Sequence, residues 1–367
     1  MDKNLLLTLN SKKYGIDVKG GEINYISHAH TDHSYALKDD APIFCSDITA
    51  SLLGLSQNGH EEKEKIKHAS NCREEKIKHA STLCEQKESQ KKESQNEKIK
   101  TKKYSPKRIS APKEFSFKSA GHILGSVQLI AETQEFSKLV YTGDFKLRDG
   151  LTTKGAKIEE CGTLIMECTY GKPGINFPNP NEVYESMQKW HEQNKTAIQL
   201  WGGYATGKAQ ELIKFLNEYA SIAPIVPPDV AKISQKYVQN GVKLDFLSSD
   251  TQEAKEIMRS QFCAVFPPNR LTRSFSFQIA QAHKKKTKTA IATGWTGIRN
   301  MGADACFPLS DHADFPQLLA YAKESGAKKV YLAHGKNEAT AKALQKEGIN
   351  AKPIEDISKK EFSQLSL

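Results

Sequence analysis

The stretch Ser27–Ser34, SHAHTDHS, sets three histidines and one aspartate within six residues, directly behind the apolar run INYI at Ile23–Ile26. The apolar run reads as a strand, and titratable residues crowded behind it read as a site on the following loop. Alternate residues of an extended chain share one face, so His28 and His30 are predicted to point the same way. Asp32 and His33 then need a turn, which aims them at a neighbouring position. One loop could so serve two metals, and imidazoles with carboxylates suit zinc, or manganese where oxygen ligands dominate. The bland reading of the same residues is a polar loop with an accidental histidine cluster.

Working outward, residues of the same chemistry recur behind other strand-like runs. His122 lies in SAGHILGS among small residues that leave room for a close approach. Asp144 follows LVYTG, where a carboxylate could bridge two metals, and His334 follows VYLA. Asp17 ends KYGID, beside the first loop. Six of the eleven histidines (28, 30, 33, 122, 312 and 334) fall in such motifs, which argues against chance. Between them, apolar runs such as KLVYTGDF, TLIMECTYG and KKVYLAHG alternate with helical patterns such as GKAQELIKFLNEYA and NEATAKALQKEG. That alternation predicts an α/β protein with helix-covered sheets.

The order H-x-H-x-D-H, G-H, G-D and H-G resembles the metallo-β-lactamase fold of binuclear hydrolases. Glu167 in LIMECTYG, His312 in LSDHADF and His334 in LAHGK resemble the three further motifs of its β-CASP nuclease branch. The resemblance runs over most of the chain and implies an αββα sandwich with an inserted α/β β-CASP domain. The sandwich would take residues 1–172 and 303–367, and the insertion residues 173–302. It implies that His28, His30 and His122 hold one Zn²⁺, that Asp32, His33 and His334 hold a second, and that Asp144 bridges them, with Mn²⁺ as the alternative metal. Asp17 would orient the first loop, and His312, steered by Glu167, would protonate the leaving oxygen. Asp32, Glu167 and His312 are thus the catalytic residues this resemblance implies.

The implied activity is hydrolysis of phosphodiester bonds in single-stranded RNA or DNA by a hydroxide activated between two metals, with a histidine as general acid. His334 leans toward the RNA-processing members, such as the polyadenylation-factor nuclease and RNase J, since Artemis-type DNA enzymes generally lack a histidine there. The compact layout and the SDHAD…HG ending are also similar to the ligase-associated DNA exonucleases. Two other classes stay open: a small-molecule metallohydrolase such as a thioesterase or lactonase, and a scaffold that binds without cutting. A homodimer is compatible with all of these.

The stretch Gly202–Ala209, GGYATGKA, nearly fits a phosphate loop, but Ala209 stands where the Mg²⁺-holding hydroxyl belongs. It reads better as a strand–turn–helix whose glycines and helix N-terminus face a cleft. Lys208 would then touch substrate phosphate; the alternative is a surface lysine after a turn. Trp295, Arg299, Arg270 and Arg273 are further residues that could stack on or clamp a strand.

The chain has 367 residues, 38% hydrophobic and 26% charged, and a formal net charge of +10. Between Glu61 and Arg108 there are 15 Lys and Arg against 9 Glu, so this one segment supplies most of the surplus. Within residues 57–104 the motif EKIKHAS occurs at Glu64–Ser70 and Glu75–Ser81, and EKIK returns at Glu97–Lys100. One isoleucine per repeat cannot bury a helix, so a solvated helix or disorder is expected there, and its surplus of lysines suits a basic tether for nucleic acid. His68, Cys72, His79 and Cys84 could suggest a zinc site, but the repeat itself copies the histidines. The seven cysteines show no C-x-x-C pair, so reduced thiols are expected, Cys168 among them as a packed strand residue. The N-terminal apolar run is too short and interrupted for a signal peptide, and no stretch reaches the roughly 20 apolar residues of a membrane span. A cytoplasmic protein is the expectation.

Overall fold

The computed structural model describes residues 5–9, 11–55, 104, 106–132, 138–296, 298–299 and 301–356. The repeat segment, with His68, Cys72, His79 and Cys84, lies outside the described residues apart from Tyr104.

The chain begins with a four-stranded sheet in sequence order: β1 (Leu6–Leu9), β2 (Lys12–Ile16), β3 (Ile23–Tyr25) and β4 (Ile43–Phe44). The first pair is antiparallel and the next two are parallel. Helix α1 (Asp47–Leu53) follows, with the Ser46 hydroxyl accepting from the Thr49 amide at its N-cap. Strands β5 (Phe115–Ser119), β6 (Val127–Ala131), β7 (Leu139–Tyr141) and β8 (Thr163–Cys168) start a second sheet.

The chain then leaves to build a third sheet. Its strands are β9 (Ile198–Gly202), β10 (Ile225–Val226), β11 (Leu247–Ser248), β12 (Cys263–Phe266), β13 (Thr287–Ala292) and β14 (Ala305–Phe307). They lie in the order β11-β10-β12-β9-β13-β14, with every pairing parallel. Parallel sheets need helical crossovers on their faces. Those here are α2 (Pro180–Gln193), α3 (Lys208–Ala220), α4 (Pro228–Gln239), α5 (Gln252–Ile257) and α6 (Arg273–His283). Trp201 of β9 packs with Tyr184 and Phe215 on one face, while its neighbours Ile198 and Leu200 pack with Ala254 and Leu271 on the other.

Helix α7 (Phe315–Glu324), β15 (Lys329–Gly335), α8 (Asn337–Lys346) and β16 (Ala351–Pro353) return the chain to the second sheet, whose order becomes β16-β15-β8-β7-β6-β5. Residues 305–307, just past the expected boundary at 303, pair with β13 as the edge of the third sheet.

The period-2 alternation of buried strands explains the layering. On β8, Ile165 faces the first sheet, while Leu164 and Met166 face α7 and α8. On β15, Tyr331 and Ala333 face inward, and Val330 and Leu332 face the helices. Tyr14, Tyr25 and Phe44 of the first sheet meet Phe115, Leu129 and Tyr141 of the second in one core. Ile26, Ile43 and Ala50 form a separate cluster under α1. The result is helix, sheet, sheet, helix, beside the parallel-sheet unit, and the α/β expectation holds. Among the described residues no helix is long and apolar enough to cross a membrane.

Candidate metal centre

The sequence motifs meet at one edge of the two facing sheets. Asp17 follows β2, the HAHTDH loop follows β3, and His122 sits in the β5–β6 connection. Asp144 lies just past β7, Glu167 near the end of β8, and His334 near the end of β15.

Asp17 is buried and organises the first loop. Its Oδ1 accepts the Ser27 amide at 2.6 Å. Its Oδ2 accepts the Ser27 hydroxyl at 2.6 Å, His33 Nδ1 at 2.9 Å and the Tyr141 hydroxyl at 2.8 Å. With its proton given to Asp17, the Ser27 hydroxyl accepts from His28 Nδ1 at 2.9 Å. Asp17 holds φ +56° and His334 φ +56°, left-handed conformations that cost free energy in a non-glycine residue and cluster at functional sites. At His334 the register of β15 against β8 shifts between Ala333 and Gly335, a bulge that re-aims the side chain. His334 Nε2 then lies 3.4 Å from the Tyr141 hydroxyl, its ring 5.1 Å from that of His33.

Four imidazoles share one hydrogen-bonding pattern: each spends one nitrogen on a fixed oxygen. His28 and His33 do so through Nδ1, on Ser27 and Asp17. His122 donates from Nδ1 to the Asp311 carbonyl at 2.8 Å, and His30 from Nε2 to the Thr206 carbonyl at 3.1 Å. A neutral imidazole donates from one nitrogen and offers a lone pair on the other, so four lone pairs face inward. His30 Nδ1 lies 3.1 Å from His28 Nε2 and 3.1 Å from His122 Nε2. Asp144 Oδ2 stands 3.5 Å from His28, 3.3 Å from His33 and 3.8 Å from His122, each measured to Nε2. Asp144 Oδ1 is buried and has no hydrogen-bond partner among the described residues. Converging acceptors around an orphaned carboxylate oxygen call for a cation, and His28, His30, His122 and Asp144 lie close enough to hold a metal ion.

The electrostatics agree. Burial holds His28, His30 and His122 below the ordinary histidine range, which keeps them neutral, the ligand form. Burial opposes charge on His33 as well, but Asp144 and Asp17 outweigh it and push its pKa up to about 10. Positive charge is therefore favoured between those two carboxylates: His33 carries it as a proton on Nε2, and offers its Nε2 lone pair only where a cation takes that proton's place.

Beside this cluster stands a second pair. Glu167 is fully buried and accepts the amides of Phe145 at 3.0 Å and Thr169 at 3.2 Å. His312 Nδ1 donates to it at 2.9 Å and lies 4.0 Å from Asp144 Oδ2. Burial works against charge on His312, but Glu167 and Asp144 prevail and push its pKa up to about 9. With Nδ1 committed, Nε2 is the nitrogen that can deliver a proton.

Two expected residues are placed differently. Asp32 is exposed, because the turn that brings the His33 amide to the His30 carbonyl carries residues 31 and 32 outward. Its charge acts on His30 and His33, but among the described residues no hydrogen bond or ion pair ties Asp32 into the cluster. Lys208 is neither a surface lysine nor presented to a phosphate. It is 2% exposed, with its ammonium held by Glu211 and Asp311. Of the arginines, Arg270 is paired with Asp229, and Arg273 opens α6. Arg299 stacks 4.5 Å over Trp295, whose ring lies 4.9 Å from Tyr170, itself 5.8 Å from His312. Cys168 is buried at the end of β8, and burial pushes its thiol pKa up, which leaves it inert.

Ser27, Tyr141, Thr206 and Asp311 were not singled out in the sequence. Ser27 and Asp311 each precede a motif histidine, which was the available signal. Thr206 acts through its backbone carbonyl and leaves none.

No family model matches the chain. A probable DNA ligase of Opitutus terrae is 27% identical over 335 residues, 89% of this chain and 28% of its own length. The Probable RNase MJ4 of Methanocaldococcus jannaschii is 30% identical over 230 residues, 55% of this chain and 46% of its own length. The chain therefore spans less than half of either relative. A crystal structure of a protein of unknown function from Enterococcus faecalis superposes with a TM-score of 0.52 at 12% identity. It covers 90% of this chain and 80% of its own, a likeness of fold. Both alignments are consistent with the β-CASP branch of the metallo-β-lactamase fold, which the motifs of this chain resemble. In β-CASP terms, the facing sheets carry the histidine cluster, and the inserted unit stands over it through Thr206 and Lys208.

Proposed function

We propose that this chain is a metal-dependent phosphodiesterase acting on single-stranded nucleic acid. The observation that carries the reading is the pairing of two devices in one place. Lone pairs converge on Asp144, and a histidine held by a buried glutamate stands 4.0 Å from the same carboxylate. Small reactive esters have little need of the second device. The oxygen leaving a phosphodiester is a poor leaving group and takes up a proton as it departs.

His28, His30 and His122 would hold one Zn²⁺, and His33 and His334 a second. Asp144 would lie between them, and Asp32 would turn in from the rim. Mn²⁺ is the alternative. Two such ions, when bound, lower the pKa of water and offset the charge on phosphate. Asp17 keeps Ser27, His33 and Tyr141 in register, so that the imidazoles do not reorganise during the reaction. Glu167 keeps His312 charged, and His312 Nε2 gives its proton to the leaving 3′-oxygen. The substrate strand would run between the sandwich and the unit of residues 173 to about 307, past Tyr170 and Trp295.

Two observations divide the choice of nucleic acid. His334 favours RNA on the motif resemblance. The alignment over 89% of the chain is to a protein named a probable DNA ligase, and the wider alignment carries more weight. DNA is therefore the first substrate to try and RNA the second. Matched single-stranded DNA and RNA, labelled at either end, would be incubated with Zn²⁺ or Mn²⁺. Cleavage by the native protein and none by Asp144→Ala is expected. Hydrolysis of thioesters or lactones with both nucleic acids left intact would refute the reading.

A further inference from the structure

We propose that the Gly203–Gly207 turn and Lys208 are positioning elements of the metal centre, through which the inserted unit sets the orientation of His30 and His122. The inference rests on the metal-centre reading above. Two of the four inward lone pairs depend on acceptors that this turn supplies or restrains. The Thr206 carbonyl belongs to the turn and takes the His30 Nε2 proton at 3.1 Å, leaving Nδ1 to face inward. The Asp311 carbonyl takes the His122 Nδ1 proton at 2.8 Å. Asp311 is itself pinned: its Oδ1 lies 2.9 Å from Lys208 Nζ and 3.3 Å from Lys146 Nζ. Lys208 also meets Glu211 at 2.5 Å, and Glu211 accepts the Tyr184 hydroxyl at 2.5 Å. Two lysines and two carboxylates thus form a largely buried, charge-balanced quartet that joins the sandwich (Lys146) to the inserted unit (Lys208, Glu211).

The turn is also pressed onto the site. Gly207 has φ +94°, and a Cβ there would stand 2.4 Å from Cγ2 of Ile123, the residue after His122. Glycine is required twice over at that point, for the backbone angle and for the contact. This accounts for the near-match to a phosphate loop: the glycine lets the turn dock, and the lysine faces the protein. Partners that orient a ligating imidazole are worth about 10–100-fold in metal affinity.

The test is zinc affinity by chelator competition on the full chain, with the absorption spectrum of the Co²⁺-loaded protein as the report on ligand geometry. Lys208→Met is expected to bind zinc at least about 10-fold more weakly and to alter the Co²⁺ bands. Lys208→Arg, which keeps a cation beside Asp311, is expected to recover most of the affinity. Leu344→Ala, on the buried face of α8, loosens the fold and is expected to leave both readouts unchanged. If Lys208→Met does not fold, Lys208→Met/Glu211→Gln removes one charge of each sign and takes its place, since balanced removal of a buried pair is the milder change. Native affinity and native Co²⁺ bands in a folded Lys208→Met chain would overturn the inference while leaving the metal centre intact. A native chain that takes up no zinc would instead sink the metal reading beneath it.

Discussion

Asp144 is the residue on which the account turns, because four imidazole nitrogens stand within 4.0 Å of its Oδ2 while its Oδ1 has no hydrogen-bond partner among the described residues. His312, one of the four, is the group whose charge can be read in kinetics. Glu167 and Asp144 hold its pKa up to about 9 against burial, so the proton-donating form prevails below that pH and is lost as pH rises through it. Activity is expected to fall on the alkaline side, and Glu167→Gln to move that limb to lower pH, as a pH–rate profile would show. An unmoved limb would mean that Glu167 does not govern the acid. His312→Ala is expected to lower kcat by about 10²–10⁴-fold with zinc content unchanged; a loss of zinc would make it a ligand instead. The histidines that meet around Asp144 were legible as a group because His and Asp recur directly behind strand-like runs. Thr206 was not, since a backbone carbonyl has no residue signature, and Lys208 was misplaced because sequence does not say which way a lysine after a turn points.

At the scale of elements, α7 fixes the segment that carries Asp311 and His312. Its N-cap, Asp314, is fully buried, accepts the Gln317 amide through Oδ1 at 3.0 Å and accepts the Phe177 amide through Oδ2 at 3.0 Å. Asp314→Ala is expected to cost about 1–3 kcal/mol in urea unfolding, since a cap and a second buried donor lose their acceptor together. A cost below about 0.5 kcal/mol would show that the cap is dispensable. The strands nearest the site were readable from apolar runs, and β8 and β15 alternate their faces as such runs predict. The two-residue, half-buried β11 gives no such pattern, and the edge strand β14 carried the third sheet past the expected boundary.

For the whole molecule, a metal held by residues of the β3 loop, the β5–β6 connection and the end of β7 would tie distant parts of the chain together. Chelation is expected to lower the melting temperature and added zinc to restore it, because a ligand of the folded state stabilises that state. A melting curve indifferent to both would argue against a structural tie. The +10 net charge lies mostly in residues 61–108, a composition that the sequence shows, and residues 61–103 of that segment lie outside the described residues. Deleting 57–104 is expected to weaken nucleic-acid binding and flatten its dependence on log salt; an unchanged slope would leave the segment without that role.

The most direct test is the zinc retained per chain after exhaustive dialysis, native protein against Asp144→Asn. The native chain should keep about two zinc ions. The variant should keep fewer, because the amide weakens the carboxylate on which the lone pairs converge. A folded native protein that retains no zinc, or an Asp144→Asn chain that retains as much as the native, would contradict the account.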